Sequence, residues 1–270
     1  MHLLLPPSEG KSAPSKGPAF DLDELSFPEF NDARETVLST LIEVSNREDA
    51  AKILKVGAKG AQEIVAQRDI LSAPCAPARE VYTGVLYEAA QLRKDDDVLI
   101  FSGLFGVTKG EDLIPAYRLS MNVSLPGIGP LKSFWRKQFA GWSPNSDFTG
   151  DSKISCQTKN NNMVGDTKVQ ESSVPGFVRD ADVTVDLRSE LYRVTKPALS
   201  NDNGAWWDVR IANSQNKTIS HMAKHYRGLL TRALLDAPNG SVDETARTLG
   251  TVSIESIGNI RHLTLVPAGL

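Results

Sequence analysis

The stretch FSGLFGVTKGEDLIPAYRLSM, residues 101–121, sets the organisation of the rest of the chain. An apolar run, VLIF, leads into it and predicts a short buried strand. Ser102, Gly103 and Gly106 then predict a tight loop, because only small or conformationally permissive residues let the backbone turn so sharply. A buried strand that ends in such a loop therefore stands at the centre of the predicted fold.

Polar side chains in and after that loop indicate a candidate ligand site. Ser102 lies at the end of the strand, and Tyr117 and Arg118 follow two acids and a proline. A glycine-containing loop followed by charged and phenolic groups is a common layout for ligand binding. A plain strand–turn–strand connection with a solvated Arg118 is the alternative.

The composition is that of an ordinary globular protein. Apolar residues make up 40% of the 270 residues and charged ones 23%, and a net charge of −3 provides no strong field toward nucleic acid or a membrane. A polyanion partner would therefore need a local basic patch. Cys75 and Cys156 lack the spacing of a disulfide framework or a zinc site. Because we find no signal peptide and no apolar run long enough to span a bilayer, we expect a soluble cytoplasmic protein.

Two more short apolar runs predict strands that end in polar groups. Residues 2–5 predict the first, which delivers Ser8 and Lys11 to its far end after two prolines. Residues 183–185 predict the second, and four polar candidates follow it: Asp186, Arg188, Ser189 and Tyr192. A solvated loop explains the first of these segments equally well when it is considered alone. Pairing of the acid with an arginine is the structural alternative for the second.

Helical patterns separate these strands. Residues 31–45 predict an amphipathic helix with Asn31 or Asp32 as its N-cap. Thr83 is a reasonable N-cap for a helix that runs through the following apolar residues, and Tyr82 places a phenol beside the N-terminus of that helix.

A basic amphipathic helix is predicted over residues 221–236. Lys224 and Arg227 on its polar side form an anion-facing cluster, with a solvated helix face as the alternative. His221 and His225 are four residues apart, as metal ligands on one helix face can be. Basic neighbours and the lack of an acid between them disfavour a cation, so we predict no metal site.

Two predicted helices, residues 47–55 and 61–71, flank a small glycine turn. They resemble a helix-hairpin-helix, whose turn offers backbone N–H groups to a DNA phosphate. The candidates for DNA contact are the residues of this turn and the cations near it: Lys55, Gly57, Lys59, Gly60 and Arg68. An ordinary helical hairpin is the alternative. A second glycine turn, residues 125–130, follows a strand-like alternation over residues 119–125 and is interpreted as a turn into a helix.

Residues 143–178 differ in kind from the rest of the chain. They are polar and almost without apolar periodicity, which predicts a surface insertion. The remaining segments predict one mixed α/β domain over residues 1–270, with a central sheet, an embedded helix-hairpin-helix-like segment and a basic cleft.

The three polar strand ends predict a pocket if their strands are parallel neighbours. The carboxyl ends of such strands meet at one edge of the sheet, where α/β folds place their sites. Two or three cations with several hydroxyls and one acid suit a nucleotide or another phosphate-bearing ligand. The residues that would form this pocket are Ser8, Lys11, Arg118, Asp186 and Lys224, with the other candidates around them. No cofactor is predicted.

Six sequence blocks occur in the order seen in the YaaA peroxide stress proteins: LLPPSEGK, VYTG, SGLFGV with PAYRLSM, FWR, DLRSELY and KHYRGLLTR. The chain resembles this family over nearly its full length apart from residues 143–178. Phe105, Ala116 and Ser120 depart from the family pattern in the central loop.

The resemblance implies a cytoplasmic bacterial protein of the oxidative stress response that helps limit iron-dependent DNA damage. It also implies a single mixed α/β domain with a helix-hairpin-helix near residues 54–66 and a positively charged cleft that binds double-stranded DNA. Two interpretations remain open from the residues. One is a DNA-binding protective protein, and the other is an enzyme or binding protein for a phosphate-bearing ligand.

Overall fold

A computed structural model of the chain describes residues 1–57, 60–142, 144, 183–195, 205–215, 217 and 220–268. Its strands are β1 (His2–Leu5), β2 (Ala76–Pro77), β3 (Val98–Ser102), β4 (Gly106–Lys109), β5 (Leu113–Ile114), β6 (Ser124–Leu125), β7 (Gly129–Pro130), β8 (Val183–Asp186), β9 (Ala205–Ile211), β10 (Gly250–Ile257) and β11 (Ile260–Pro267). Its α-helices are α1 (Asn31–Ser45), α2 (Ala50–Ile53), α3 (Ala61–Ala66), α4 (Ala78–Val81), α5 (Val85–Ala90), α6 (Leu131–Gln138), α7 (Ser220–Asp236) and α8 (Val242–Arg247). Shorter 3₁₀ helices occupy Pro28–Phe30, Gln67–Ser72 and Glu190–Tyr192.

Seven strands form the central sheet in the order β10-β11-β9-β8-β1-β3-β4. The five inner strands, from β11 to β3, are parallel to one another, and β10 and β4 pair antiparallel at the two edges. Counted along the chain, the parallel strands have the spatial order 2-1-3-4-5. That order reverses between β1 and β8, which makes the crevice beyond their carboxyl ends the topological switch point of the sheet. The predicted mixed α/β fold with a central sheet is confirmed.

The central strands form because their sequences are apolar without alternation. All three leucines of β1 are fully buried, and β3 is buried along its whole length. Strands with helices or loops on both faces have this pattern, since neither side of the strand contacts water. β1 pairs in parallel with β3 on one side and with β8 on the other. The three strands whose ends carry the candidate polar groups are therefore direct neighbours, which meets the condition for a shared pocket at their carboxyl ends.

A tight loop joins β3 to β4 and depends on its glycines. Gly106 has a φ of 68°, and a Cβ atom on it would lie 2.5 Å from the ring of Trp135. The carbonyl of Gly103 accepts a hydrogen bond of 2.9 Å from the indole N–H of that tryptophan. The predicted sharp turn after the central strand is thus confirmed, and α6 fixes it through one buried side chain.

The helices pack close to the sheet and to one another. A Cβ on Gly228 of α7 would lie 2.2 Å from the carbonyl oxygen of Leu86 in α5, so a glycine lets these two helices approach. The predicted helix over residues 31–45 is confirmed as α1, but its N-cap is Phe30 without a side-chain cap. Asn31 lies inside the first turn, where its Oδ1 accepts a hydrogen bond of 2.8 Å from Arg34.

Other local predictions were wrong in detail. Thr83 does not cap α5, because Gly84 occupies the N-cap position with a φ of 90°. The helix predicted over residues 61–71 divides into α3 and a 3₁₀ turn. A helical period over this range places Val65 on one side with Ile64 and Ile70, but those two residues are buried and Val65 is 55% exposed. Of the strand predicted over residues 119–125, only β6 forms.

The remaining segments follow the predicted plan. β6 and β7 form a small hairpin that leads into α6, in agreement with the interpretation of residues 125–130 as a turn before a helix. The predicted insertion over residues 143–178 lies outside the described residues apart from Pro144. No helix in the described part of the chain is both long and apolar enough to cross a membrane.

Candidate functional site

Two adjoining cavities open at the switch point between β1 and β8. The larger has a volume of about 410 Å³, and its wall combines the segment after β1, the start of α5, the segment after β8 and one side of α7. The smaller, of about 70 Å³, lies toward the loop before β6. Five residues line both cavities, so they form one continuous site that we call the switch-point pocket: Ser8, Glu9, Ser120, Asn122 and Tyr192.

Cations outnumber acids in the lining of this pocket. Lys224 and Arg227 line the larger cavity, and three further cations line the smaller one: Lys11, Lys55 and Arg118. Among the described residues that line the two cavities, Glu9 is the one carboxylate. The protein has a net charge of −3, yet this pocket carries a local excess of positive charge, which is suited to an anion.

The segment after β1 is held against the residues that precede α5. The backbone N–H of Ser12 donates to the carbonyl of Val81 at 2.8 Å, and the N–H of Thr83 donates to Ser8 Oγ at 3.0 Å. Lys11 forms a β-bridge with Tyr82 between these two contacts. The backbone contacts therefore position Ser8 and Lys11 at the mouth of the smaller cavity.

The amino group of Lys11 lies above two aromatic rings. Its Nζ is 4.3 Å from the centre of the Tyr117 ring and 5.4 Å from that of Tyr82. It donates to the carbonyl oxygen of Ser8 at 2.9 Å. Burial, and then the positive charge of Arg118, lower the pKa of Lys11 from 10.5 to about 7, against the smaller opposing effects of Glu63 and Glu9. Lys11 thus exchanges protons near neutral pH.

Buried phenols form the floor beneath Lys11. The hydroxyls of Tyr82 and Tyr117 lie 2.8 Å apart, and both phenols interact with the hydroxyl of Ser102. Burial raises the pKa of both phenols well above the usual value. Neither tyrosine lines the pocket directly, so Ser102 and the two phenols support Lys11 from below.

Arg118 is held at the edge of the smaller cavity by several partners. Its backbone N–H donates to Gln67 Oε1 at 2.9 Å, and its guanidinium lies 3.3 Å from a carboxylate oxygen of Glu63. A longer contact of 3.8 Å joins it to Glu9. The side chain is 28% exposed, which leaves part of the guanidinium open to the pocket.

Asp186 and Arg188 do not line the pocket, and here the structure differs from the prediction. The guanidinium of Arg188 binds both carboxylate oxygens of Asp186 at 2.8 Å, and Arg188 is fully buried. The guanidinium also lies 4.2 Å from the centre of the Phe101 ring. The two residues neutralise each other under the sheet edge because they are two positions apart on a turn that brings them face to face. The geometry therefore matches the structural alternative, in which Asp186 pairs with an arginine.

The polar groups after β8 and on α7 meet in the larger cavity. Ser189 and Tyr192 line it, as do Thr83 and the two cations of α7, Lys224 and Arg227. The Nε of Arg227 is buried without a hydrogen-bond partner among the described residues. Burial, and then the charge of Arg193, lower the pKa of Arg227. An anion in this cavity would offset the burial and the repulsion that act on the Arg227 charge.

The residues chosen as DNA contacts take different positions. Lys55 has a φ of 56°, and its Nζ donates to the carbonyl of Asn122 at 2.6 Å, which brings it to the smaller cavity. The Nε of Arg68 donates to the carbonyl of Ser45 at 2.8 Å. Gly57 and Gly60 form the turn through a hydrogen bond of 2.9 Å, and Lys59 lies outside the described residues. The flanking helices α2 and α3 have four and six residues, fewer than predicted.

Several residues that build the pocket were not among the predicted site residues: Glu9, Glu63, Gln67, Ser120 and Asn122. A signal for two of them exists in the sequence. Leu119, Met121 and Val123 are buried, and the serine and asparagine between them face the opposite side. That period of two places Ser120 and Asn122 on the pocket side even though no regular strand forms there.

No group of three or more His, Cys, Asp or Glu side chains in the described ranges is arranged to hold a metal ion. Cys75 is a free buried thiol, and burial raises its pKa to about 11.

These features define an α/β protein with a parallel core and a cation-rich pocket at its switch point. A family model described as "Peroxide stress protein YaaA" matches residues 1–249, and the chain belongs to that family. A UPF0246 protein of Streptomyces coelicolor is 33% identical over 267 residues, which cover 93% of this chain and 90% of that protein. A UPF0246 protein of Corynebacterium efficiens is 34% identical over 284 residues, which cover 98% of this chain and all (100%) of that protein. The name of the family supports a general role in the oxidative stress response.

Proposed function

We propose that the protein acts in the peroxide stress response by binding a phosphate-bearing ligand in the switch-point pocket. The observation that carries this proposal is the set of five cations around two adjoining cavities with a single lining carboxylate. Phosphate groups match such a set, since arginine and lysine side chains form charge-assisted hydrogen bonds to several phosphate oxygens at once.

The unpartnered Nε of Arg227 supports the same proposal. Burial and the charge of Arg193 disfavour the positive charge of this guanidinium, and a bound phosphate in the adjoining cavity would stabilise it. The volume of the larger cavity, about 410 Å³, is also that of a small-molecule site rather than of a packing defect.

Calorimetric titration with pyrophosphate and with ATP tests this proposal. We expect binding to the wild-type protein that weakens about tenfold or more in Arg118→Ala and Arg227→Gln, because each change removes a charge-assisted contact. Arg136→Ala, at an exposed position of α6 that lines neither cavity, is the matched control and should bind as the wild type does. Equal binding by all three variants, or no binding by the wild type, would refute the proposal.

A second candidate function is contact with double-stranded DNA through a basic cleft, by which a cytoplasmic protein would help to limit iron-dependent DNA damage. Lys55 supports it, because this residue of the glycine turn reaches the smaller cavity beside Arg118. A DNA phosphate lying along the turn would meet the same cations as a small phosphate-bearing ligand. Backbone contacts of this kind do not depend on base sequence and weaken with salt.

Binding of a short duplex at low and moderate salt separates the two candidates. Lys55→Ala/Lys59→Ala is compared with Lys11→Ala/Arg118→Ala. Loss of duplex binding in the first pair alone would favour the glycine turn as the site of DNA contact. Loss in the second pair alone would place the nucleic acid in the pocket, and no binding by the wild type would leave the small ligand as the candidate.

A further inference from the structure

We propose that Lys11 is a nucleophilic lysine that forms an imine with the carbonyl group of a small phosphate-bearing aldehyde or ketone held in the switch-point pocket. This inference rests on the proposed function, because the cations of the pocket would hold the phosphate group. It adds a covalent step, a reacting atom and a narrower class of ligand to that function.

The contacts of Lys11 leave its nitrogen available for reaction. Its Nζ donates to the carbonyl oxygens of Ser8 at 2.9 Å and Glu9 at 3.5 Å. Both contacts use N–H groups, so the lone pair of the neutral amine stays free. In the part of the chain that the structure describes, no carboxylate lies within ion-pair distance of Lys11, whereas Arg118 contacts both Glu9 and Glu63. Because these two carboxylates pair with Arg118, neither forms an ion pair that would keep Lys11 charged.

The ionisable groups around the amine favour its neutral form. Arg118 and the burial of Lys11 oppose its protonation, and Glu63 and Glu9 favour it less strongly. The phenols of Tyr82 and Tyr117 beneath it are neutral because burial raises their pKa values. With a pKa of about 7, half of the Lys11 side chains are unprotonated at neutral pH, against about one in a few thousand for an exposed lysine. A lysine beside another cation in a desolvated site is a known form of activated nucleophile.

The aromatic floor suits the product of the reaction. A protonated imine carries its positive charge on the same nitrogen, 4.3 Å and 5.4 Å from the centres of two tyrosine rings. The faces of these rings attract a cation. Desolvation and the nearby arginine oppose a positive charge on this nitrogen, and the two ring faces offset part of that cost for the protonated imine as they do for the ammonium.

The step balances without an oxidant or reductant. The lone pair of Nζ forms a bond to the carbonyl carbon, and the electrons of the carbonyl π bond move to its oxygen, which takes up a proton while the nitrogen loses one. The resulting carbinolamine oxygen takes up one more proton and leaves as water. The nitrogen lone pair forms the C=N bond, and the protonated imine results.

The shape of the pocket limits the ligand that this lysine can meet. Lys11 lines the cavity of about 70 Å³, which accepts a carbonyl end, and Lys224 and Arg227 line the adjoining cavity of about 410 Å³, which accepts a phosphate. A short carbonyl compound with a phosphate at its other end would place one group in each. Sugar phosphates in their open-chain form belong to this class.

Trapping of the imine by reduction tests the inference. The wild-type protein is treated with glyceraldehyde 3-phosphate and sodium cyanoborohydride, and the modified lysines are located by peptide mapping. We expect one dominant adduct on Lys11, formed at least tenfold faster than with glyceraldehyde, at a rate that rises with pH and is half-maximal near pH 7. Lys11→Arg should lose this adduct, and Lys94→Arg, a change at an exposed lysine, should retain it.

The mapping of the wild type gives the answer even if Lys11→Arg fails to fold. Adducts spread over exposed lysines at similar rates would overturn the inference. Pyrophosphate binding without labelling of Lys11 would overturn the imine and leave the proposed function standing. Equal labelling of Lys11 by glyceraldehyde and its phosphate, in a protein that does not bind pyrophosphate, would overturn both the phosphorylated substrate and the proposed function.

Discussion

The hydroxyl groups of Tyr82 and Tyr117 lie 2.8 Å apart beneath Lys11, where they share one hydrogen bond in the buried floor of the switch-point pocket. Burial raises the pKa of each phenol well above the usual value, so both are neutral at neutral pH. A carboxylate at this place would neutralise the lysine above it. Because the floor is neutral, the positive charge of the pocket stays available to a ligand.

Replacing Tyr117 by phenylalanine removes the hydroxyl contact with Tyr82 and keeps the aromatic ring, so it tests the two contributions separately. The change leaves the Tyr82 hydroxyl with fewer partners in a buried place, and we expect a loss of about 1–3 kcal/mol in the free energy of unfolding, measured by urea denaturation. The aromatic face 4.3 Å from Lys11 remains, so imine trapping should persist. Tyr117→Leu removes the face as well and should slow trapping. Equal trapping by the two variants would contradict the role given to the ring.

The free energy of unfolding should depend on pH, because burial and Arg118 disfavour the protonated form of Lys11 in the folded protein. Its pKa is 10.5 in the unfolded chain and about 7 in the folded protein, so between these values the unfolded chain binds more protons and stability rises with pH. The destabilising contribution is therefore complete below pH 7 and absent above pH 10.5. We expect Lys11→Met to be more stable than the wild type at pH 6, with a difference that shrinks as the pH approaches 10. Thermal unfolding over this range provides the measurement, and a difference that does not change with pH would contradict the prediction.

The buried pair of Asp186 and Arg188 should behave as a structural element. Arg188→Met leaves an unpaired carboxylate that is 5% exposed, and we expect a loss of about 3–5 kcal/mol in the free energy of unfolding. The double change Asp186→Leu/Arg188→Met removes both charges and should cost less than the single change. Pyrophosphate titration of the folded double variant should give the wild-type affinity. Normal stability of Arg188→Met with lost binding would instead place the pair in the site.

Two glycines with similar backbone geometry offer a matched test of the central loop. Gly106 and Gly127 have φ values of 68° and 74°, but only at Gly106 would a Cβ collide, at 2.5 Å from the ring of Trp135. Gly127→Ala should cost about 1–2 kcal/mol, the strain of an L-residue in this conformation. Gly106→Ala should cost clearly more because the buried tryptophan must move. Chemical denaturation measures the free energy of unfolding of both variants. Similar losses would contradict the prediction and show that Trp135 moves at no cost in stability.

The elements that could be predicted were those with strong local patterns. The apolar runs of β1 and β3 are continuous and bounded by proline, glycine or polar residues, β8 places a buried threonine between two valines, and α1 has a clear helical period. The short α2 and α3 were predicted too long, since a few helix-forming residues beside a glycine turn carry little information about where a helix ends. Val65 is exposed for the same reason: the period assumed there belongs to a longer helix than the one that forms.

Membership of the family and the meeting of three polar strand ends could be read from local sequence, because parallel neighbouring strands deliver their carboxyl ends to one edge. The partner that each polar group contacts at this edge could not be read from local sequence. Lys55 contacts Asn122 and lines the pocket, and Arg188 binds Asp186 beneath it. Such choices depend on distances between residues far apart in the chain and on how much water each group loses. By itself the sequence determined the strands and the residue types at their ends. The tertiary structure alone decided which charges face the cavity, because burial and through-space contacts set the free energy of every polar group.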